Sequence, residues 1–421
     1  MDTLDAFAKT VLTPRASEWD YQPEPLEVTD SYEARRYVAP SAGIELFEYD
    51  WSFLMTSTRY AGFAAASARV FLRRPRHVPD PLFGIWRLTG LALLVPVALL
   101  VAVIAVGGFL LHTGVAGWIV GVVSSVVVLT IGFGVLRTAP RVLARSFLTT
   151  GFVNVARYFD PAPESYAARR AIRGGLVDLL STLHQGRYAR IAVVGHGIGG
   201  CIAYDALTTL WAEMHELHAG SGKLGVPPDT VGDFQATQFA LWQNLRGQGN
   251  PWRTTDFVTV GTPLALADMF MARPPILAGL SRSDSRHELF KRLIHRGVVA
   301  SCPPEEGQSP FAVTRWTNIW FPVRRGSIRG DWFGGVLRPL FGPGIREIAV
   351  TGNLPERSRP GAAHTKYFAR PDHDADGDVA FHLRAVLATA DAAALQASAA
   401  APPPDPSTVA RTVYRSWQRS M

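Results

Sequence analysis

One short segment constrains the fold of this chain more than any other. Residues 191–200 read Ile-Ala-Val-Val-Gly-His-Gly-Ile-Gly-Gly and continue into a run of helix-forming residues at 201–214. A β-branched run that ends in closely spaced glycines and then becomes helical indicates a strand, a sharp turn and a helix. This is the arrangement of a nucleophile elbow, in which the residue at the apex is exposed above a parallel sheet.

The apex of this predicted turn is Gly197. In an acyl hydrolase the apex residue is a serine, whose hydroxyl attacks the substrate, and glycine has no side chain that could do so. Gly195, His196 and Gly199 complete the predicted elbow, with His196 packed beneath the turn. The backbone N–H of Ile198 is the predicted donor to an oxyanion. The sequence therefore predicts the scaffold of a serine hydrolase without its nucleophile.

Other segments place this elbow in an α/β fold. Buried strands are predicted at 256–260 and 317–321, and a further strand at 44–49. A helix is predicted to start at 161–165 and to end at Gly186. Strands that alternate with helices predict a mostly parallel sheet flanked by helices.

A long stretch without charges predicts a membrane hairpin. Residues 88–136 contain no Asp, Glu, Lys or Arg, which is long enough for two spanning helices joined near 112–114. Arginines lie on both sides of it, so the positive-inside rule places both termini in the cytoplasm and the chain in the inner membrane. A buried pair of helices in a soluble core is the alternative.

The charge and the cysteines are consistent with that interpretation. The formal net charge is +7, but the arginines cluster beside the predicted spans, where membrane lipids would be their partners, and no nucleic-acid motif accompanies them. Cys201 and Cys302 are expected to stay reduced. No cofactor and no metal are predicted: residues 372–378 resemble the start of a calcium loop, but its twelfth position is Leu383 rather than glutamate.

The predicted organisation has four parts. Residues 1–80 form the N-terminal part of a hydrolase-like domain, 81–140 the transmembrane helical hairpin, 141–390 the main α/β-hydrolase-like domain, and 391–421 an Ala/Pro-rich tail. Because both ends of the hairpin lie on one side of the membrane, the two parts of the domain can still share one sheet.

Two residues downstream of the elbow suit the rest of a catalytic triad. In this fold the chain order is nucleophile, acid and histidine. His364 lies near the C-terminal end of the predicted domain, and Asp331 lies between it and the elbow. Asp331 is therefore the candidate acid and His364 the candidate base.

Several motifs in the same order carry a family resemblance. They are Arg-Tyr-Phe-Asp-Pro at 157–161, Gly-His-X-Ile-Gly-Gly at 195–200 with Ala-Tyr-Asp at 203–205, and the segments 242–252, 256–264 and 330–344. With them the chain resembles a bacterial family of membrane-inserted lipase-like α/β-hydrolases. The resemblance implies an α/β-hydrolase fold, lipid-like or ester substrates, and roles for Asp331 and His364 as acid and base. Two departures are the glycine at the apex and a start after the strand and His-Gly oxyanion loop with which such relatives usually open. A start further upstream is an alternative.

Two functions follow as hypotheses. Loss of the nucleophile costs about 10⁶ in turnover, so the first is a membrane-anchored, catalytically impaired protein that binds a lipid, an ester or an unidentified protein partner. The second is an active, serine-independent or residual esterase or lipase that acts on lipid-like esters at the cytoplasmic face of the membrane. It would use a substitute nucleophile, such as Cys201, or a water activated by His364. A channel or transporter is disfavoured, because a single hairpin without charged residues offers no ion path.

Overall fold

A computed structural model gives the fold of the chain. The residues it describes are 3–12, 21–39, 44–55, 71–88, 147–160, 163–186, 188–217, 231–247, 249–271, 309–351, 363–368 and 378–387, with a few single positions between 90 and 130. The first element is helix α1, Thr3–Phe7, which continues as a π-helical turn at Ala8–Leu12.

A small antiparallel sheet follows α1. Its strands are β1 Gln22–Pro23, β2 Glu27–Val28, β3 Glu33–Ala39 and β4 Ile44–Asp50. β4 pairs with the whole of β3, so β1 and β2 pair with the two ends of β3 along its other edge. Across the β3–β4 pair, the Arg36 guanidinium donates to Glu45 with an Nη2–Oε2 distance of 2.7 Å.

Helices and parallel strands make up the rest of the described chain. The helices are α2 Phe147–Phe159, α3 Pro163–Gln185, α4 Ile198–Leu217, α5 Val231–Gly247, α6 Ala267–Met271, α7 Arg338–Phe341 and α8 Val379–Leu387. The strands are β5 Ile191–His196, β6 Thr254–Val260, β7 Arg315–Trp320 and β8 Ile345–Ala349. They pair in the order β5-β6-β7-β8, and every pair is parallel.

The central strands are buried on both faces. Every residue of β6 is buried, as is every residue of β7 except the first, which is the expected environment when helices cover both faces of a parallel sheet. The polar side chains in these strands are hydrogen-bonded. The Thr259 hydroxyl donates to Asn318 Oδ1 at 2.9 Å and accepts the indole N–H of Trp316 at 3.1 Å. Burial of these groups therefore leaves few hydrogen bonds unmade.

Two apolar layers enclose the parallel sheet. On one face, side chains of α2, α3, α4 and α6 pack with an aromatic cluster in which Phe311 and Trp316 have ring centroids 4.6 Å apart. On the other face, α1 and α8 pack with Tyr367 and Phe368. The carboxyl ends of the strands lie between these layers, where the loops that bear the candidate site converge.

The predicted membrane hairpin is wrong. Within the residues that the structure describes, no helix is both long enough and apolar enough to cross a membrane. The long described helices α3 and α4 pack against the sheet and carry charged residues such as Arg169 and Asp205. An uncharged segment favours an apolar environment. To span a membrane, it must also form one continuous helix of about 20 apolar residues. The fold class with its interrupting hairpin and the placement in the inner membrane are corrected accordingly.

Some of the predicted segments cannot be compared with the structure. Most of 81–140, the tail at 391–421, Cys302 and nearly all of 372–378 lie outside the described residues. The strands predicted at 44–49 and 256–260 are present, and the helix predicted to start at 161–165 and end at Gly186 spans Pro163–Gln185. The strand predicted at 317–321 begins two residues earlier, at Arg315, and ends at Trp320.

A buried histidine makes the stability of this fold depend on pH. Nδ1 of His184 lies 2.7 Å from the Leu180 carbonyl oxygen, and its Nε2 lies 3.2 Å from the Thr254 hydroxyl. Burial lowers the pKa of His184 to about 4, although the hydrogen bond to Leu180 opposes the shift. Between about pH 6.5 and pH 4, the folded protein therefore holds this imidazole neutral. In the unfolded chain, where its pKa is about 6.5, it is protonated over that range.

We predict that the free energy of unfolding falls as the pH is lowered from 7 to 4. A lowered pKa gives stability that is fully present above about pH 6.5 and is lost on the way down to pH 4, by up to about 3 kcal/mol. Urea denaturation at several pH values measures this loss. His184→Asn keeps a donor for the Leu180 carbonyl but cannot be protonated. The slope of the free energy of unfolding against pH should therefore decrease in this variant by the contribution of about one proton. An unchanged slope would contradict the prediction.

Candidate active site

The predicted sharp turn joins β5 to α4. β5 ends at His196, α4 begins at Ile198, and Gly197 between them has a φ of +55°. The N–H of Gly197 donates to the Val260 carbonyl at 2.9 Å, and its own carbonyl accepts the N–H of Gly200 at 3.1 Å. Glycine adopts this left-handed backbone region without the strain that a β-carbon introduces.

Two of the flanking glycines are required by close packing. A β-carbon on Gly195 would lie 2.5 Å from the α-carbon of Gly200, and one on Gly200 would lie 2.6 Å from the Thr262 hydroxyl. The strand and the helix therefore approach each other more closely than larger residues permit. Gly199 is not required by packing in this way, because a β-carbon there would meet no described atom within 4 Å.

Asp331 and His364 form a buried hydrogen-bonded pair. Nδ1 of His364 lies 3.0 Å from Oδ1 and 3.1 Å from Oδ2 of Asp331, whose side chain is fully buried. The carboxylate also accepts the Tyr367 hydroxyl at 2.6 Å and the N–H of Phe333 at 2.9 Å. Burial raises the pKa of Asp331, but His364 and these hydrogen bonds outweigh it and hold that pKa below its usual value. An ionised carboxylate therefore orients the imidazole.

The other imidazole nitrogen faces the apex of the turn. A β-carbon built on Gly197 would lie 2.7 Å from Nε2 of His364, which is closer than carbon and nitrogen normally approach. The structure thus brings the apex, the candidate acid and the candidate base together. Nε2 of His364 lies in space that a β-carbon at residue 197 would need.

His196 supports this arrangement from beneath. Its Nε2 donates to the main-chain carbonyl of His364 at 2.8 Å, and the two imidazole rings stack with centroids 4.9 Å apart. Burial lowers the pKa of His196 to about 4, and the nearby His364 lowers it further in the same direction. A neutral His196 adds no charge next to the candidate base, which agrees with its predicted packing role.

The remaining candidates sit at the start of α4. Ile198 is the first residue of this helix, so its backbone N–H belongs to the first turn, where N–H groups have no partner within the helix. Cys201 lies one helical turn beyond Gly197 and is buried, with its Sγ 3.7 Å from the Thr262 hydroxyl. Its sulfur faces the core, which disfavours Cys201 as a substitute nucleophile.

Two residues that hold the site together, Tyr367 and Glu347, are not predicted from the sequence. Tyr367 follows His364 by three positions, one turn of the 3₁₀ helix Ala363–Lys366, and this spacing was the available signal. Glu347 accepts the N–H groups of Leu337 at 2.6 Å and Arg338 at 2.8 Å, and so fixes the loop that carries Asp331. Burial raises the pKa of Glu347 to about 7. No local pattern marks this buried glutamate.

The described residues offer no metal centre. Among them, no three His, Cys, Asp or Glu side chains are grouped so that they could hold a metal ion. The described site itself holds an imidazole oriented by a buried carboxylate beside the turn at Gly197.

Comparison with known proteins adds no relative. No family model matches the chain, and no curated protein and no solved structure matches it.

We predict that Gly197→Ala lowers the free energy of unfolding by about 1–3 kcal/mol, because alanine is strained at positive φ and its β-carbon would crowd His364. Urea denaturation measures the change. Gly199→Ala is the matched control: its β-carbon has room, and alanine in a helix stabilises by up to about 1 kcal/mol. Equal destabilisation by both variants would contradict the turn geometry.

Proposed function

We propose that this chain is a binding protein with an α/β-hydrolase-like fold that does not catalyse acyl transfer. The observation that carries the proposal is the apex of the turn. Residue 197 has no side chain, and Nε2 of His364 lies 2.7 Å from where its β-carbon would stand. A covalent route through residue 197 therefore lacks the attacking atom, and the imidazole of His364 would have to withdraw to admit one.

The size of the rate loss expected without a nucleophile favours this function over slow hydrolysis. Removal of the nucleophile from a serine hydrolase costs about 10⁶ in turnover. What persists is the pair Asp331–His364, whose carboxylate is buried and accepts three neighbouring donors. A buried carboxylate needs such partners whether or not chemistry occurs. The retained pair is thus explained by stability alone.

A cavity next to the turn supplies a place for a ligand. It has a volume of about 440 Å³, within the usual range for ligand sites. It extends from Gly195 and His196 along the edge of β5 to β4. Most of its lining is apolar, which suits an uncharged or lipid-like ligand better than a strongly charged one.

Residual hydrolysis is the second candidate function. The Nδ1 hydrogen bond from His364 to Asp331 is the arrangement that orients a general base, and such a base can activate water. This function requires a water within hydrogen-bond reach of Nε2. It also requires N–H donors that stabilise the oxyanion, and the N–H of Ile198 is one candidate.

Labelling with a fluorophosphonate probe, together with hydrolysis of a p-nitrophenyl ester, separates the two functions. We expect no covalent label on the native protein and no hydrolysis that depends on His364. Strong labelling of the native chain, or ester hydrolysis that His364→Ala abolishes, would favour the second function.

Gly197→Ser controls for the integrity of the site. Its hydroxyl would lie beside Nε2, so we expect some labelling, slowed because the imidazole must first withdraw. The double variant Gly197→Ser/His364→Ala should lose that labelling. If it labels equally, His364 does not act as the base at this apex.

A further inference from the structure

The cavity beside the turn separates two sheet edges. Among the described strands, β4 pairs only with β3, and β5 pairs only with β6. Consecutive residues of both strands, 45–49 and 191–196, line the cavity. Since neighbouring residues of a strand point to opposite faces, a run of consecutive lining residues means that the backbone edge itself faces the space.

β4 and β5 lie in one layer of the fold. Phe47 and Val193 both pack against the apolar layer that contains α3 and α4. Leu46 and Val194 both pack against the opposite layer, which contains α1. The same two layers therefore continue across the cavity, above and below it, as they do around a strand inside a sheet.

The two strands also run in the same direction. The Tyr188 hydroxyl, just before β5, donates to Glu45 near the start of β4 at 2.6 Å. The Tyr49 hydroxyl, near the end of β4, donates to the Ile172 carbonyl of α3 at 2.7 Å. Since the C-terminal end of α3 contacts the start of β6 through His184, Ile172 lies toward the carboxyl ends of the strands.

Backbone groups of β5 point into the cavity. The N–H groups of Ile191 and Gly197 donate to Arg253 and Val260 on the β6 side. Alternate residues of a strand hydrogen-bond to the same neighbour, so the main-chain groups of Ala192 and Val194 face away from β6 and toward β4. Ala192 is exposed although β6 next to it is wholly buried. Main-chain groups in such an environment need hydrogen-bond partners.

We propose that this cavity is a slot that binds one extended peptide segment of a partner chain, inserted as a strand between β4 and β5. The bound segment would hydrogen-bond to both edges and join the two sheets into one. β5 has six residues, so about six residues of the partner would fit. Both faces are covered, so its side chains are expected to be small or apolar throughout. The inference rests on the proposed binding function and specifies its partner.

Peptide binding tests the slot directly. The probe is a fluorescein-labelled peptide with six central valines and isoleucines flanked by lysines, and fluorescence anisotropy measures its affinity for the full chain. N-methylation of either alternate set of central amides should weaken binding at least about tenfold, because both edges take hydrogen bonds. Equal affinity of the methylated peptides, or binding of decanoate without binding of the peptide, would overturn the proposal.

A pair of variants tests the edge of β5. Val194→Pro removes an N–H that faces the slot and leaves the ladder to β6 in place, whereas Val194→Ala keeps that N–H and removes only side-chain atoms. We expect at least about a tenfold loss of affinity for the first and less than about threefold for the second. Equal losses would overturn the proposal. If Val194→Pro does not fold, the methylated peptides decide the question.

Failure of the slot can be told apart from failure of the proposed function. Peptide binding by a native chain that also labels with fluorophosphonate would keep the slot and refute the non-catalytic function. If the native chain neither binds the peptide nor labels with fluorophosphonate, the slot is refuted and the non-catalytic function stands.

Discussion

The close contact between β5 and α4 is the constraint on which the candidate site depends. Gly197 reverses the chain at a φ of +55°, and the absence of a side chain at Gly195 lets the first turn of α4 come against the strand. The helix therefore starts directly at the carboxyl end of the sheet. Because the loops after the neighbouring strands end at the same edge, the apex comes within reach of His364.

The acid and histidine are held by interactions that do not require catalysis. Asp331 is a carboxylate without solvent contact, and an unpaired charge in that environment would cost several kcal/mol, roughly. His364, Tyr367 and the N–H of Phe333 supply its hydrogen bonds. Loss of any of these partners would destabilise the fold, so the network is stabilising whether or not it takes part in catalysis.

The cavity and the turn are both formed by β5. β5 contributes its end to the turn and its free edge to the cavity, so a segment bound along that edge would extend to Gly195 and His196. His196 links the two, since its ring stacks on His364 and also contacts Phe368 from the opposite layer. His196 therefore contacts both the cavity and the histidine that pairs with Asp331.

Features encoded by neighbouring residues were predictable from the sequence, whereas features that depend on distant ones were not. Glycine spacing around residue 197 and the β-branched run before it determine a strand, a turn and a helix, because backbone strain and packing at these positions are local. Tyr367 and Glu347 were missed, since their partners lie on other segments. The charge-free run at 88–136 predicted a spanning hairpin, and among the described residues no helix is long and apolar enough to provide one.

The sequence by itself determined that the apex carries no nucleophile, because a missing side chain is a property of one residue. Only the tertiary structure decided what takes its place: the imidazole of His364, anchored on Asp331 and stacked on His196, occupies the space above Gly197. It also decided that β4 and β5 face each other across a gap. Both outcomes depend on how separate segments share space, and no local pattern specifies that.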